Sequence, residues 1–132
     1  QPDALIIQDP TLLHQVDVFA GLKRDGYILI NTHHSFAEMG LGDFVKDFRH
    51  ERLLTVPATD IAMKHVGRPV PNVPLLGAFA ALGGLVTIDA VHEAIGQKFE
   101  GKLAQGNVAA ADAAYQFVLE EKEEAARHAQ AN

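Results

Sequence analysis

The first half of the chain contains three short, nearly continuous apolar runs. They cover residues 4–8, 27–31 and 53–56 and consist mostly of leucine, isoleucine and valine. A short apolar run bounded by turn residues is typical of a strand buried on both faces, as in a parallel sheet. Asp25-Gly26 supplies such a turn before the second run, and Pro57 ends the third. The pattern predicts three parallel strands.

The rest of the chain has helical spacing of its apolar residues. Residues 58–66 mix apolar and polar side chains, and Gly67 follows where a left-handed residue would close a helix. Thr59-Asp60 fits a capped helix start, and Thr87 can cap the next helix. Asn107 begins or lies within a last helix. Strands separated by helical segments predict an α/β domain with a parallel sheet, formed by residues 1–132 as a single domain.

One stretch, Pro69–Val86, contains no charged residue. Its prolines and glycines would interrupt a membrane span repeatedly, so a transmembrane helix is not expected. A helix that is apolar on every face is buried on all sides. We therefore expect the stretch to lie at or beside an obligate subunit interface, because a helix enclosed on all faces in a small domain usually needs a partner chain. A central helix within the domain is the alternative. Gly77 would allow another backbone to approach closely.

Composition and charge narrow the function classes. The net charge is −6, and the longest basic cluster is Lys23-Arg24, so a nucleic-acid partner is not expected. The chain has no cysteine, which excludes disulfides, a thiolate nucleophile and an iron–sulfur cluster held by this chain alone. The lack of cysteine also fits the cytosol, and no signal peptide is visible at the start, Gln1-Pro2-Asp3. The acidic run 120–124 is expected to form a solvated helix end, with an ion pair between Glu123 and Arg127.

Candidate chemistry is sparse. His33-His34 follows the second strand, at the edge where α/β proteins place their sites, and Glu38 and Asp43 come soon after. Imidazole and carboxylate suit zinc or iron, but this spacing matches no known metal motif, and adjacent histidines on an extended chain point in opposite directions. Two histidines in a polar loop near an interface are the alternative. Residues 40–42 contain G-x-G only, without the third glycine of a dinucleotide-binding turn.

An ordered set of short motifs extends over nearly the whole chain. They are Asp9–Leu13, Gly21–Lys23 with Gly26, Asn31-Thr32, Val56–Ala62, Gly67–Asn72, Leu76–Phe79, Phe99–Leu103, Asn107-Val108 and Ala113–Tyr115. In this order they resemble the gamma subunit, or gamma domain, of the 2-oxoacid:ferredoxin oxidoreductases, the pyruvate synthase family. The resemblance implies a Rossmann-like parallel sheet with flanking helices and a helical C-terminal part.

The resemblance also implies a function. Enzymes of this family decarboxylate pyruvate or a related 2-oxoacid on thiamine diphosphate, pass electrons through iron–sulfur clusters to ferredoxin, and release an acyl-CoA. In the family, thiamine diphosphate lies between the alpha and beta parts, and the beta or delta parts hold the clusters. The resemblance therefore implies alpha, beta and delta subunits as partners. It implies that this chain alone binds no cofactor and acts in the cytoplasm.

A gamma subunit of this kind has a structural or assembly role, so no catalytic residue and no metal ligand is expected in this chain. The resemblance and the uncharged stretch together indicate residues that contact other subunits. They are Asn72, Leu75, Leu76, Gly77 and Phe79, with His33 and His34 as further candidates that face a neighbouring subunit or the substrate channel.

The chain departs from the family at its start. Family members open with a strand and a glycine-rich turn of the type G-x-G-G-Q-G, which would precede Gln1. We therefore expect this chain to be incomplete at the N-terminus and to correspond to about the C-terminal two-thirds of a gamma domain. Two other functions stay open: a stand-alone Rossmann-like nucleotide-binding domain, and a metal hydrolase that uses His33, His34 and Glu38.

Overall fold

The computed structural model describes residues 4–8, 26–34, 38, 53–83 and 86–131. These residues form three strands and four helices in an α/β arrangement, which confirms the predicted fold class. The elements are β1 (Ala4–Ile7), β2 (Tyr27–Asn31), β3 (Leu53–Val56), α1 (Ala58–His65), α2 (Asn72–Gly83), α3 (Ile88–Lys98) and α4 (Gly101–Ala131). The turn expected at Asp25, the metal candidate Asp43 and the G-x-G at 40–42 lie outside the described residues.

The three strands form one parallel sheet in the order β1-β2-β3. Leu29 of β2 pairs with Leu54 of β3, and Ile6 of β1 pairs with Leu29 on the other side. All residues of β2 except Tyr27 are buried, as expected for a central strand buried on both faces. The same expectation is wrong for β1 at Ile6, whose side chain is 39% exposed.

One face of the sheet forms the main core with the helices. Leu29, Leu54 and Val56 pack in one cluster with residues of α1, α2 and α4. The alternation of a strand places Asn31 on the same face as Leu29, because the two are separated by one residue. Since α1 begins directly after β3, its first turn lies on this face beside the end of β2.

Helix α2 contains most of the uncharged stretch and packs among its neighbours. It contacts α1, α3, α4, β2 and β3, and Leu75 and Leu82 are almost completely buried. Gly77 allows the close approach expected of it, and the approaching backbone belongs to Ala111 of α4 in the same chain. Within the described residues, α2 thus has the position of a central helix, so its apolar character is largely accounted for by the chain's own core.

Hydrogen bonds to backbone groups mark the end of α1, the start of α3 and the end of α2. Gly67 has a φ of +86°, and its N–H donates to the carbonyls of Ala62 and Met63, which confirms the predicted close of α1. Thr87 accepts a hydrogen bond from the Ala90 N–H at 3.0 Å, which confirms the predicted cap of α3. At the end of α2, the Lys122 ammonium of α4 donates to the Ala81 and Leu82 carbonyls.

Helix α4 contains 31 residues and contacts all three other helices and β3. Asn107 lies within it, six residues after its start at Gly101. Its charged end differs from the expectation: Lys122 is partly buried, and Arg127 pairs with Glu124 instead of Glu123, at 3.2 Å. None of the helices among the described residues combines the length and apolar composition that crossing a bilayer requires.

Candidate functional site

A cleft of about 480 Å³ lies at the carboxyl edge of the sheet. Each strand contributes to it from its end: Gln8 follows β1, Asn31 ends β2, and Pro57 follows β3. The other described residues that line it are Thr32, His33, His34, Thr59, Asp60, Pro69 and Pro71. Ligands of open α/β sheets bind outside the carboxyl ends of the strands, so this cleft is the candidate site.

Asn31 joins the three elements that form the cleft floor. Its Nδ2 group donates to the Gln8 carbonyl at 2.9 Å and to the Thr59 hydroxyl at 2.8 Å. Its Oδ1 oxygen accepts from the Thr59 backbone N–H at 3.2 Å. Asn31 is only 7% exposed, and its buried amide is thus satisfied by partners that lie on the exposed Gln8 and the half-buried Thr59.

The same contacts correct the predicted cap of α1. Pro57 is the N-cap residue and makes no side-chain cap, since proline has no polar side-chain atom. Thr59 lies inside the first turn, where its N–H has no partner within the helix. This N–H donates to the side chain of Asn31, which is 28 residues away in sequence. Asp60 does lie in the first turn, where its negative charge complements the helix dipole, as expected.

Thr32 sets the path of the chain as it leaves β2. Its N–H donates to the Val56 carbonyl at 3.0 Å, which extends the contact between the ends of β2 and β3. Its hydroxyl accepts from the His34 N–H at 3.1 Å and so turns the backbone directly after the strand. Thr32 is buried, whereas the two histidines that follow it are exposed.

The histidine pair differs from the expected extended arrangement. The rings of His33 and His34 lie with centroids 4.2 Å apart and planes tilted by 40°, so the prediction that they point in opposite directions is wrong. The turn at Thr32 is the physical reason, because alternation of side chains holds only for extended backbone. His34 Nδ1 lies 3.5 Å from Glu38 Oε2, at the long limit of an ion pair, and both side chains are more than half exposed.

The described lining of the cleft combines uncharged polar side chains and two histidines with three prolines. Its described lining residues include no lysine or arginine, and Asp60 is their one carboxylate. Within the described part of the chain, no three histidine and acidic side chains come together in a way that could hold a metal ion. The Thr59 hydroxyl accepts from the Asn31 amide, and no histidine or carboxylate among the described residues hydrogen-bonds to it.

The residues predicted to contact other subunits fall into separate places. Leu75 belongs to the chain's own core, Phe79 is half-buried against it, and Gly77 faces α4. Asn72 and Leu76 are exposed, and Leu76 keeps 37% of its side chain accessible. None of these five lines the cleft, whereas His33 and His34 do. Contact with another subunit stays a prediction for all seven.

Sequence reasoning did not identify Gln8, Pro69 or Pro71 as part of the site. A signal for Gln8 was present, because it follows the first apolar run as His33 follows the second. The two prolines reach the cleft from the segment between α1 and α2. Their place depends on how that segment packs against the sheet edge, which no local pattern specifies.

Comparison with known proteins finds a consistent set of relatives. The model of a family described as pyruvate ferredoxin/flavodoxin oxidoreductase matches residues 1–117. The chain is 40% identical over 119 residues to pyruvate synthase subunit PorC of Methanocaldococcus jannaschii, which covers 90% of this chain and 61% of that protein. It is 41% identical over 116 residues to the common gamma subunit of the pyruvate/ketoisovalerate oxidoreductases of Pyrococcus furiosus, covering 88% and 61%.

A solved structure shows the same fold. The crystal structure of pyruvate oxidoreductase subunit PORC from Thermotoga maritima superposes with a TM-score of 0.73 at 28% identity, over 88% of this chain and 63% of that one. The chain therefore spans about three-fifths of the length of the relatives that it matches.

Proposed function

Because the chain belongs to the pyruvate ferredoxin/flavodoxin oxidoreductase family, we propose that it is the gamma part of a multisubunit 2-oxoacid:ferredoxin oxidoreductase. The complex would convert pyruvate or a related 2-oxoacid to an acyl-CoA in the cytoplasm and pass the electrons to ferredoxin. The observation that carries the proposal is the continuous family match over residues 1–117. The relatives named as subunits, PorC and the common gamma subunit, support it.

In this proposal the chain supports the assembly and contributes no catalytic residue. We take residues 1–132 as one domain, which is supported by the core that α1, α2 and α4 share with β2 and β3 and by the packing of α3 on α2 and α4. The domain contacts the alpha, beta and delta subunits. Its cleft at the carboxyl edge of the sheet, with His33 and His34 exposed beside it, helps to shape the approach to the active site.

The cysteine-free sequence and the described lining of the cleft do not fit the cofactors of such a complex. Iron–sulfur clusters are held by cysteine thiolates, and the sequence contains no cysteine. Thiamine diphosphate and CoA carry phosphates, which need cations or a row of N–H donors, and the described lining of the cleft has neither lysine nor arginine. We therefore assign thiamine diphosphate, the clusters and CoA to the other subunits.

Reconstitution tests the proposal. The full-length chain is co-expressed with alpha, beta and delta subunits of an oxidoreductase, and the purified complex is assayed for 2-oxoacid- and CoA-dependent reduction of ferredoxin. A parallel preparation omits this chain. We expect a stoichiometric complex by native mass spectrometry, and loss of assembly or of most activity on omission. A chain that stays monomeric beside its partners and binds nucleotides with micromolar affinity by calorimetry would instead support the stand-alone nucleotide-binding alternative.

A further inference from the structure

A second groove, of about 270 Å³, lies away from the sheet edge, between the end of α1, the start of α2 and the junction of α3 and α4. Apolar side chains form much of its wall, among them Val70, Phe99 and Leu103. Val70 and Leu103 each remain 45% exposed, so this apolar surface faces solvent in the isolated chain. Adjoining exposed apolar side chains in a groove are typical of an interaction surface.

The groove carries positive charge on an acidic chain. Arg68 and Lys98 line it, and its described lining contains no aspartate or glutamate. Neither cation forms an ion pair with another described residue, and the Lys98 ammonium lies 5.8 Å from the centre of the Phe99 ring. The whole chain has 17 acidic and 11 basic residues, so two cations that pair with no described acid are a local exception to its overall charge.

Asn107 adds a polar group to the groove. It is only 4% exposed although it lines the groove, and its Nδ2 group donates to the Leu103 carbonyl one turn earlier, at 2.8 Å. Because the amide nitrogen is fixed by this bond, the Oδ1 oxygen is the free end of the side chain. It accepts no hydrogen bond from any residue that the structure describes, so it is available to a donor from outside the chain.

We propose that this groove binds a segment of a second polypeptide in which an apolar side chain is flanked by aspartate or glutamate. The apolar side chain would pack against Val70, Phe99 and Leu103, and the flanking carboxylates would pair with Arg68 and Lys98. A backbone N–H of the segment would donate to Asn107 Oδ1. The partner is another subunit of the oxidoreductase, so the inference rests on the proposed function and names one place where that subunit binds.

Charge reversal tests the pairing. The variant carries Arg68→Glu and Lys98→Glu, and the matched control carries Lys64→Glu and Arg127→Glu, which give the same net charge at positions outside the groove. Affinity for the purified alpha–beta–delta subcomplex is measured at low and high salt. Repulsion of the acidic segment is expected to weaken binding of the variant about tenfold or more at low salt, with the control within about twofold of the unmodified chain.

Photo-crosslinking identifies the occupant. A photo-reactive phenylalanine analogue replaces Val70 in the complex, with the same analogue at Glu93, exposed on α3, as control. We expect the crosslink from position 70 to reach a subunit segment that contains an apolar residue beside an acidic one.

The outcomes separate the two proposals. A charge-reversed variant that binds as tightly as the unmodified chain would overturn the groove proposal and leave the proposed function standing. A crosslink from position 70 to a second copy of this chain, or to a segment without acidic residues, would do the same. Failure of the unmodified chain to join the subcomplex would overturn both.

Discussion

Asn31 and Thr59 satisfy each other's polar groups across 28 residues of sequence. The Asn31 amide donates to the Thr59 hydroxyl at 2.8 Å, and the Thr59 N–H donates to the Asn31 amide oxygen at 3.2 Å. A strand end and a helix start are therefore fixed to one another by a single buried side chain. This link sets the floor of the cleft, because Asn31 also holds the Gln8 carbonyl.

Replacing Asn31 by alanine is expected to destabilise the fold strongly. The Thr59 N–H would lose its partner at a half-buried position, whereas the carbonyl of the exposed Gln8 can turn to water, so we expect a total cost of about 1–3 kcal/mol. Urea unfolding followed by circular dichroism measures the change. The matched control is Asn72→Ala at an exposed position, for which we expect a change of about 0.5 kcal/mol or less. Equal effects of the two substitutions would show that the Asn31 contacts do not stabilise the fold.

Gly77 and Gly96 form a matched pair for testing the contact of α2 with α4. A Cβ at Gly77 would overlap the Ala111 carbonyl and lie 2.9 Å from its Cα, whereas a Cβ at Gly96 would meet nothing within 4 Å. We expect Gly77→Ala to destabilise by about 2–3 kcal/mol through overpacking. Gly96→Ala should stabilise by about 0.5–1 kcal/mol, because alanine favours a helix interior. Thermal unfolding of both variants measures these changes in stability. An unchanged stability of Gly77→Ala would contradict the close approach of α2 and α4.

Lys122 is expected to contribute to stability despite its place in an acidic run. Lys122→Met keeps the apolar stem and removes the two hydrogen bonds to the end of α2, at a cost of about 1–2 kcal/mol. Lys64→Met, at an exposed position, serves as the control and should change the free energy of unfolding by about 0.5 kcal/mol or less. Denaturant titration measures the free energy of unfolding of both variants. An unchanged stability of Lys122→Met would mean that water replaces the ammonium group at the two carbonyls without loss of stability.

The pair formed by His92 and Asp112 links α3 to α4, with Nε2 and Oδ1 2.5 Å apart. The side chains are 37% and 48% exposed, so solvent screens the pair. A double-mutant cycle with His92→Gln and Asp112→Asn is expected to give a coupling of about 1 kcal/mol or less. The coupling should shrink in 1 M salt. A coupling well above this value that salt does not change would contradict a screened surface pair.

His33 and His34 allow the proposed role of the cleft to be tested apart from folding. Both side chains are exposed, so the double substitution His33→Gln and His34→Gln should change the free energy of unfolding by about 0.5 kcal/mol or less. In the reconstituted complex we expect a lower rate of 2-oxoacid-dependent ferredoxin reduction with unchanged assembly. His65→Gln, outside the cleft, is the control. An unchanged rate in the double variant would remove these histidines from the site.

Local patterns predicted the elements well and the contacts between them poorly. The three strands follow from continuous apolar runs, and Gly67 and Thr87 act as expected because their interactions reach only a few residues along the chain. Asn31 and Lys122 depend on partners 28 and about 40 residues away, so their residue types alone did not reveal what they contact. The charged run indicated solvent for Lys122, and the packed fold buries it in part instead.

In the cleft, too, local patterns indicated where residues lie, but not which residues they contact. The rule that sites lie at the carboxyl ends of parallel strands placed His33 and His34 correctly at its edge. The prediction that their rings point in opposite directions was wrong, because the ring directions depend on the Thr32 hydroxyl, which turns the backbone. The apolar stretch suggested a helix covered on every side, but whether the cover was the same chain or another could be settled only by the position of α4.

Helix α4 also constrains when the domain can fold during synthesis. It packs against α1, α2, α3 and β3, yet it is the last of these elements to leave the ribosome. Until residues up to Val118 have emerged from the exit tunnel, the apolar surfaces of the sheet and of α2 lack the helix that buries them. Folding of the described core therefore waits for α4, and before that point the growing chain is most exposed to chaperones and to aggregation.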